Sequence, residues 1–174
     1  MPDHATGFDS AMFRSVMGRF ATGVTVVSFL RGNEPAGMTV NAFLSVSLDP
    51  PLVLISVRRA SSFVGHVRVG DCYGVNMLAE AQERLAPYFA KRPDGAVDVA
   101  FVDHFGTPRI DGSLAHVVAR VVDIHPAGDH LLYIGAVEHL WHGVEARPLI
   151  FFSGKYKQIH AHEPVTQWNA VDGW

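Results

Sequence analysis

Gly37-Met38-Thr39-Val40-Asn41-Ala42-Phe43-Leu44-Ser45-Val46-Ser47-Leu48-Asp49-Pro50-Pro51-Leu52-Val53-Leu54-Ile55-Ser56-Val57 is the stretch on which the fold turns. Its first half alternates Thr39, Asn41, Ser45 and Ser47 with Met38, Val40, Phe43, Val46 and Leu48, the pattern of a strand with one apolar face and one row of hydroxyls and amides. Asp49-Pro50-Pro51 cannot continue a ladder, because proline lacks the N–H and fixes φ, so the chain turns before Leu52 to Val57 re-enter a sheet. Two buried strands meeting at a rigid corner beside a polar row are expected.

Upstream, Phe8, Met12, Phe13, Val16, Met17 and Phe20 recur at three- and four-residue steps, which predicts an amphipathic helix over Phe8 to Arg19, capped by Asp9 or Ser10 and packed by its apolar face. Gly23 to Leu30 is a β-branched strand, and Arg31-Gly32-Asn33-Glu34-Pro35 a hairpin loop. Downstream, the serines at 61 and 62 open a short helix to Val69, Asp71 to Leu78 is a strand, and Ala79 to Arg92 is a helix that Pro87 kinks and Pro93-Asp94-Gly95 ends. Val97 to Asp111 reads as an irregular connector. Leu114 to Asp123 and His130 to Leu140 form a hairpin about Pro126-Ala127-Gly128-Asp129, and Leu149 to Ser153 is a last short strand. The tail from Lys157 to Trp174 has no periodicity. Strands joined mainly by turns predict a mainly β fold, a closed or nearly closed antiparallel barrel with a few peripheral helices.

A chain of 174 residues fits one domain with a core of its own. Hydrophobic residues are 48% and charged ones 18%, apolar enough that a second subunit is expected over part of the surface. No basic leader and no apolar run near the ~20 residues of a bilayer span is visible, so a soluble, cytoplasmic protein without membrane contact is expected. A net charge of -3 without a Lys/Arg cluster argues against nucleic-acid binding.

Familiar chemical signatures are missing: no Gly-x-Gly-x-x-Gly after a strand, no phosphate-binding glycine-lysine loop, no nucleophile elbow and no His-Glu-x-x-His. The pairs His139/His142 and His160/His162 lack a carboxylate or cysteine at ligand spacing, so no metal site is expected. The single Cys72 reads as packing. The row Thr39, Asn41, Ser45, Ser47 is either an ordinary solvent face or the wall of a polar ligand site. Arg59, Ser61 and Ser62, at a helix start, then suit a phosphate. His130, at a hairpin tip, is either incidental or points into a site, and sequence physics leaves both open.

Gly37 to Phe43 with Ser45 to Val53, then Tyr73-Gly74-Val75-Asn76-Met77-Leu78, Gly128-Asp129-His130 and Pro148-Leu149-Ile150, closely resemble the flavin reductase-like family, small reductase components of two-component flavin-dependent monooxygenases. The resemblance runs from about Phe13 to Tyr156 and includes Phe20-Ala21-Thr22-Gly23-Val24-Thr25-Val26-Val27. It implies an FMN-binding split β-barrel of Greek-key type within a single domain, 1–174, with its core at about 13–156. It also implies a homodimer in which NADH or NADPH reduces FMN or FAD, the reduced flavin diffusing to an oxygenase partner. Thr39, Asn41 and Ala42 would meet the isoalloxazine, with Asn41 near N5. Ser45, Val46 and Ser47 would line the ring and ribityl chain, and Ser56, Arg59, Ser61 and Ser62 would approach the phosphate. Asp129 would fix the turn that aims His130 at the nicotinamide, and Tyr156 would close the pocket. His130 and Asn41 are thus the residues beside the reacting atoms.

Two departures stand out. The family often carries a cysteine near Ala119, and Arg58 to Phe63 aligns loosely. The competing class is a split-barrel protein that holds FMN as electron carrier or sensor without turning over pyridine nucleotide.

Overall fold

The computed structural model describes residues 7–91, 95–143 and 145–159. Helix α1 (Ser10–Met17) starts at Asp9, whose carboxylate accepts from the Met12 amide at 2.7 Å. Strands β1 (Thr22–Gly23), β2 (Thr25–Arg31), β3 (Glu34–Val40), β4 (Phe43–Leu48) and β5 (Pro51–Arg58) follow, then α2 (Ser62–His66), capped by Ser61, and β6 (Cys72–Met77). A 3₁₀ turn at Glu80–Gln82 and α3 (Leu85–Phe89) precede β7 (Phe101–His104) and β8 (Thr107–Ile110). The long hairpin of β9 (Ala115–Ala127) and β10 (His130–His142) and the short β11 (Ile150–Phe152) and β12 (Lys155–Lys157) complete the chain. No helix among the described residues is long and apolar enough to cross a membrane.

The main sheet has seven antiparallel strands in the order β3-β2-β6-β9-β10-β5-β4. Laid flat, six spacings of about 4.8 Å would separate its edge strands β3 and β4 by roughly 29 Å. Only Asn41 and Ala42 lie between Val40 and Phe43, a span of at most about 11 Å. The sheet therefore rolls until its two edges meet at Asn41. Inside the roll sit Val27, Phe29, Ile55, Phe63, Tyr73 and Tyr133, with Phe63 edge-on to Phe29, Tyr73 and Tyr133. A second core lies outside it, where Val24, Val26, Leu78, Leu85, Ala86 and Leu149 close under α3. Strand β2 faces both cores, which is why its residues from Thr25 to Phe29 are all buried instead of alternating with exposed ones.

Several expectations need correction. The first half of the opening stretch is not one strand but two, the end of β3 and all of β4, which lie at opposite edges of the sheet. Its second strand, β4, is largely exposed, turning into β5 at Asp49 and Pro50. The polar row does not share a face. A β-bulge at Val46 shifts the register, so Ser45 pairs with Val53 while Ser47 pairs with Leu52 on the other side. The helix expected over Ala79 to Arg92 is broken: Pro87 cannot donate to Glu83, and a new helix starting at Leu85 places its nitrogen among the first, unbonded amides.

Val97 to Asp111 is not irregular but holds the β7–β8 hairpin. Its two-residue turn, Phe105 and Gly106, has positive φ at both positions (51° and 74°). The hairpin return reaches His142 and not Leu140, and β12 begins before the expected tail. The apolar face of α1 does not pack on this chain: Met12, Phe13, Val16 and Met17 are each more than half exposed. Tail residues 160–174 and the expected stop at Pro93-Asp94 lie outside the described residues.

Candidate active site

A cavity of about 930 Å³ opens where the two edges of the sheet meet. Its walls are Phe13, Arg14 and Met17 of α1, Phe20 to Gly23, Thr25, the Asn41–Leu44 crossing, Leu54, Ser56, Phe151 and Gly154. The crossing is held in place by the Ser56 amide, which donates to the Ala42 carbonyl at 3.0 Å, and by the Phe43 amide on the Asn41 carbonyl. Asn41 is half-buried, and among the described residues its side-chain amide has no hydrogen-bond partner. The Thr22 hydroxyl, in the same wall, is buried without one. A mainly apolar hollow with a few unsatisfied polar groups is the usual form of a small-molecule site.

Register carries this face to His130. Val53, Ile55 and Val57 point into the core, so Leu54, Ser56 and Arg58 point outward. Arg58 lies opposite His130 on β10 and Ser56 opposite Leu132, and directly opposed residues share a face. His130 therefore stands on the cavity face, two residues or about 7 Å along the sheet from the level of Ser56.

At that end three sequence-separated pieces converge. Nδ1 of His130 lies 2.8 Å from Oδ1 of Asp129. The hydrogen bond with His130, the imidazole's charge and the more distant Arg58 hold the Asp129 carboxyl below its usual range. Arg59 donates its backbone amide to the Asp129 carbonyl at 3.1 Å and its Nε to the Gly128 carbonyl at 2.9 Å. Ser61, which caps α2, also places its hydroxyl 3.2 Å from the Met38 sulfur of β3.

The other candidates are dispersed. The Thr39 hydroxyl donates to the Ala86 carbonyl of α3 at 2.6 Å, and Thr39 itself pairs with Val26 in the sheet. Ser45, Val46 and Ser47 border a separate hollow of about 350 Å³ along β4. Ser62 is exposed, its carbonyl 2.7 Å from Nδ1 of His66. Tyr156 stacks at a tilt on Phe151, a wall residue, with 5.5 Å between rings. The structure thus brings together Asn41, Ala42 and Ser56 around the cavity and Arg59, Asp129 and His130 beyond it.

Residues 17–160 match the model of the flavin reductase like domain. The chain belongs to the flavin reductase-like family. A relative named NADH-dependent flavin reductase, from Rhodococcus sp, is 41% identical over 149 residues, 84% of this chain and 84% of that protein. Reductase subunit HsaB of a flavin-dependent monooxygenase of Mycobacterium tuberculosis is 36% identical over 155 residues, 87% of this chain and 83% of its own. Among solved structures, flavin reductase PheA2 in its native state is similar with a TM-score of 0.84 and 42% identity, over 88% of this chain and 100% of that one. The NADH:FAD oxidoreductase SgcE6 of Streptomyces globisporus C-1027, in complex with NAD and FAD fragments, is similar with a TM-score of 0.80 and 33% identity, over 90% and 96%.

The sequence missed the wall contributed by α1 and by Phe20 to Thr25. A signal was present: a helix with an apolar stripe on a domain already rich in apolar strands has surplus surface to give to a site or a partner. Cys72 stays a thiol, because burial raises its pKa and its Sγ lies 3.5 Å from Glu138. His139 and His142 are three residues apart on β10 and so face opposite ways, while His160 and His162 lie outside the described residues.

Proposed function

We propose that this protein is an NADH:flavin oxidoreductase that reduces FMN or FAD and supplies the reduced flavin to a partner oxygenase. The observation that carries this reading is the cavity at the seam, with the unpartnered Asn41 amide in its wall and His130 on the same face of the sheet. The relative named above as NADH-dependent and the similar structure named an NADH:FAD oxidoreductase support NADH as the donor.

The residues present fit a flavin. About 930 Å³ lies at the upper end of small-molecule sites, and a planar heterocycle with an amide-like edge suits apolar walls carrying one free amide and an unsatisfied hydroxyl. When bound, the flavin supplies the two-electron chemistry, accepting hydride at N5 from C4 of the nicotinamide and carrying both electrons away. The chain's own part is placement. Asn41 offers a donor and an acceptor to the ring edge, with Thr39 and Ala42 beside it. Ser45, Val46 and Ser47 serve the side chain of the flavin, and Ser56, Arg59, Ser61 and Ser62 its phosphate. His130, braced by Asp129, orients the nicotinamide, and Tyr156 closes the pocket through Phe151. Positioning of two reactants is worth more here than proton transfer.

The rolled sheet, unpaired between β3 and β4, is read as the split barrel of a single domain spanning the chain. The uncovered stripe of α1, with Phe20 and Leu44 exposed in the same cavity wall, supports a homodimer whose second copy completes that wall.

The direct test mixes purified protein with NADH and FMN or FAD and follows the nicotinamide absorbance band. Oxidation of NADH is expected. Failure to oxidise NADH or NADPH with either flavin overturns the reading, and flavin retained through gel filtration without turnover would mark the carrier or sensor class instead.

A further inference from the structure

We propose that Arg59 is a positioning residue for the nicotinamide side of the site, acting by holding the Gly128-Asp129 turn and through it His130. The inference rests on the oxidoreductase function proposed above, and it gives Arg59 a task that no phosphate contact requires.

Gly128 and Asp129 are the two residues of the turn between β9 and β10, and Gly128 has φ of 61°. The carbonyls of such a tip ordinarily face water. Here both are claimed by one residue from another part of the chain: the Arg59 amide by Asp129 and the Arg59 Nε by Gly128, at 3.1 and 2.9 Å. The claim is rigid on the Arg59 side, because the Ser61 amide closes the β5–α2 link on the Arg58 carbonyl at 2.9 Å and Ser61 then caps α2. It is transmitted on the other side, because the Asp129 carboxylate lies 2.8 Å from Nδ1 of His130. The imidazole is thus oriented by a carboxylate whose backbone Arg59 fixes. Nη1 and Nη2 of Arg59 have no hydrogen-bond partner among the described residues, so an anionic group can still meet them.

The two tasks separate by substitution. A phosphate contact needs positive charge, which lysine keeps. Of the two turn contacts, the backbone amide on the Asp129 carbonyl survives either substitution, while the side-chain contact on the Gly128 carbonyl needs an N–H close to the backbone in the plane of a guanidinium, which the terminal ammonium of lysine does not supply. The experiment therefore compares Arg59→Lys and Arg59→Ala with the unaltered protein in two ways. Amide NMR signals of Gly128, Asp129 and His130 are recorded on flavin-free, nucleotide-free protein, and Michaelis constants for NADH and for flavin are measured separately.

Both variants are expected to shift those three amides and to raise KM for NADH roughly five- to tenfold, while KM for flavin in Arg59→Lys stays within about twofold. Recovery of normal NADH kinetics by Arg59→Lys, or unmoved turn signals, overturns the proposal. Moved turn signals with unchanged NADH kinetics overturn it too. Failure of the underlying functional reading looks different: the unaltered protein then oxidises no nicotinamide, while the NMR comparison still reports whether Arg59 holds the turn.

Discussion

Nδ1 of His116 lies 2.9 Å from Oδ1 of Asn76, and both side chains are fully buried. The Ile110 amide also donates to that oxygen, at 2.7 Å, so Oδ1 is an acceptor and His116 carries its proton on Nδ1. The other nitrogen of the ring is 3.2 Å from the Thr107 hydroxyl, and the Asn76 amide reaches the Val26 carbonyl and the Ser28 hydroxyl. Ser28 in turn donates to the Pro108 carbonyl. Neutral His116 therefore fastens the β7–β8 hairpin to the outside of the rolled sheet.

Acid should loosen that fastening. Burial, with the charges of His104 and Arg109 behind it, pushes the His116 pKa from 6.5 down to about 4. Between those values the unfolded chain binds the proton that the native chain refuses, so stability is present in full above the unfolded value and is lost as pH falls toward 4. The loss attributable to this group is about 3 kcal/mol. Urea unfolding at pH 7.5 and 4.5 checks it: His116→Gln should show a shallower decline than the unaltered protein, and equal declines would refute the assignment.

Gly74 is where this network leaves no room. A Cβ there would lie 2.4 Å from the His116 ring and 2.6 Å from the Ser28 hydroxyl. Gly74→Ala should cost about 2 to 3 kcal/mol, in the range of overpacked cores. Thermal denaturation of the variant reads it directly, and a melting point within a degree of the original would show that the network yields.

Much of this was legible in the sequence, and the failures have physical causes. Asp9, Ser61 and the Gly32 turn announce themselves because caps and tight turns depend on one or two local residues. The Phe105-Gly106 hairpin did not, since four-residue strands carry too few positions to display a period. The polar row failed at Val46, where one bulged residue inverts every face after it and leaves no mark in composition. At the site, the resemblance supplied the ligand class and Asn41. The Arg59–Gly128 contact depends on a sheet register spanning 69 positions, which no local pattern encodes.

Removing the free amide in the cavity wall should weaken flavin binding. Asn41→Ala is expected to raise the dissociation constant for FMN roughly tenfold, the worth of one or two hydrogen bonds. Because Asn41 makes no side-chain bond within the described chain, the melting temperature of the flavin-free protein should hold. Flavin fluorescence titration gives the first quantity and circular dichroism the second. Unchanged flavin affinity would remove Asn41 from the site.

His130→Ala should act on the other reactant. Its imidazole sits at the hairpin tip beyond the level of Ser56, and among the described residues its only hydrogen-bond partner is Asp129. The Michaelis constant for NADH should rise several-fold with that for flavin nearly unchanged, as expected when ground-state positioning of one substrate is lost. A fall in flavin affinity with normal NADH kinetics would reverse the assignment.

The stripe of α1 and the exposed β4 side chains should be covered in solution. Met12 is 59% exposed and Leu48 72%, and neither side chain belongs to the core of the folded chain. Burying either against a second copy is worth about 1 to 2 kcal/mol, and a charge in its place adds a desolvation cost. Met12→Asp and Leu48→Asp should each weaken self-association at least tenfold, with light scattering reporting a shift from dimer to monomer. Since Phe13 and Met17 of the same helix wall the cavity, flavin affinity should fall with the dimer. An unaltered protein that runs as a monomer at micromolar concentration would instead make α1 a wall that this chain closes by itself.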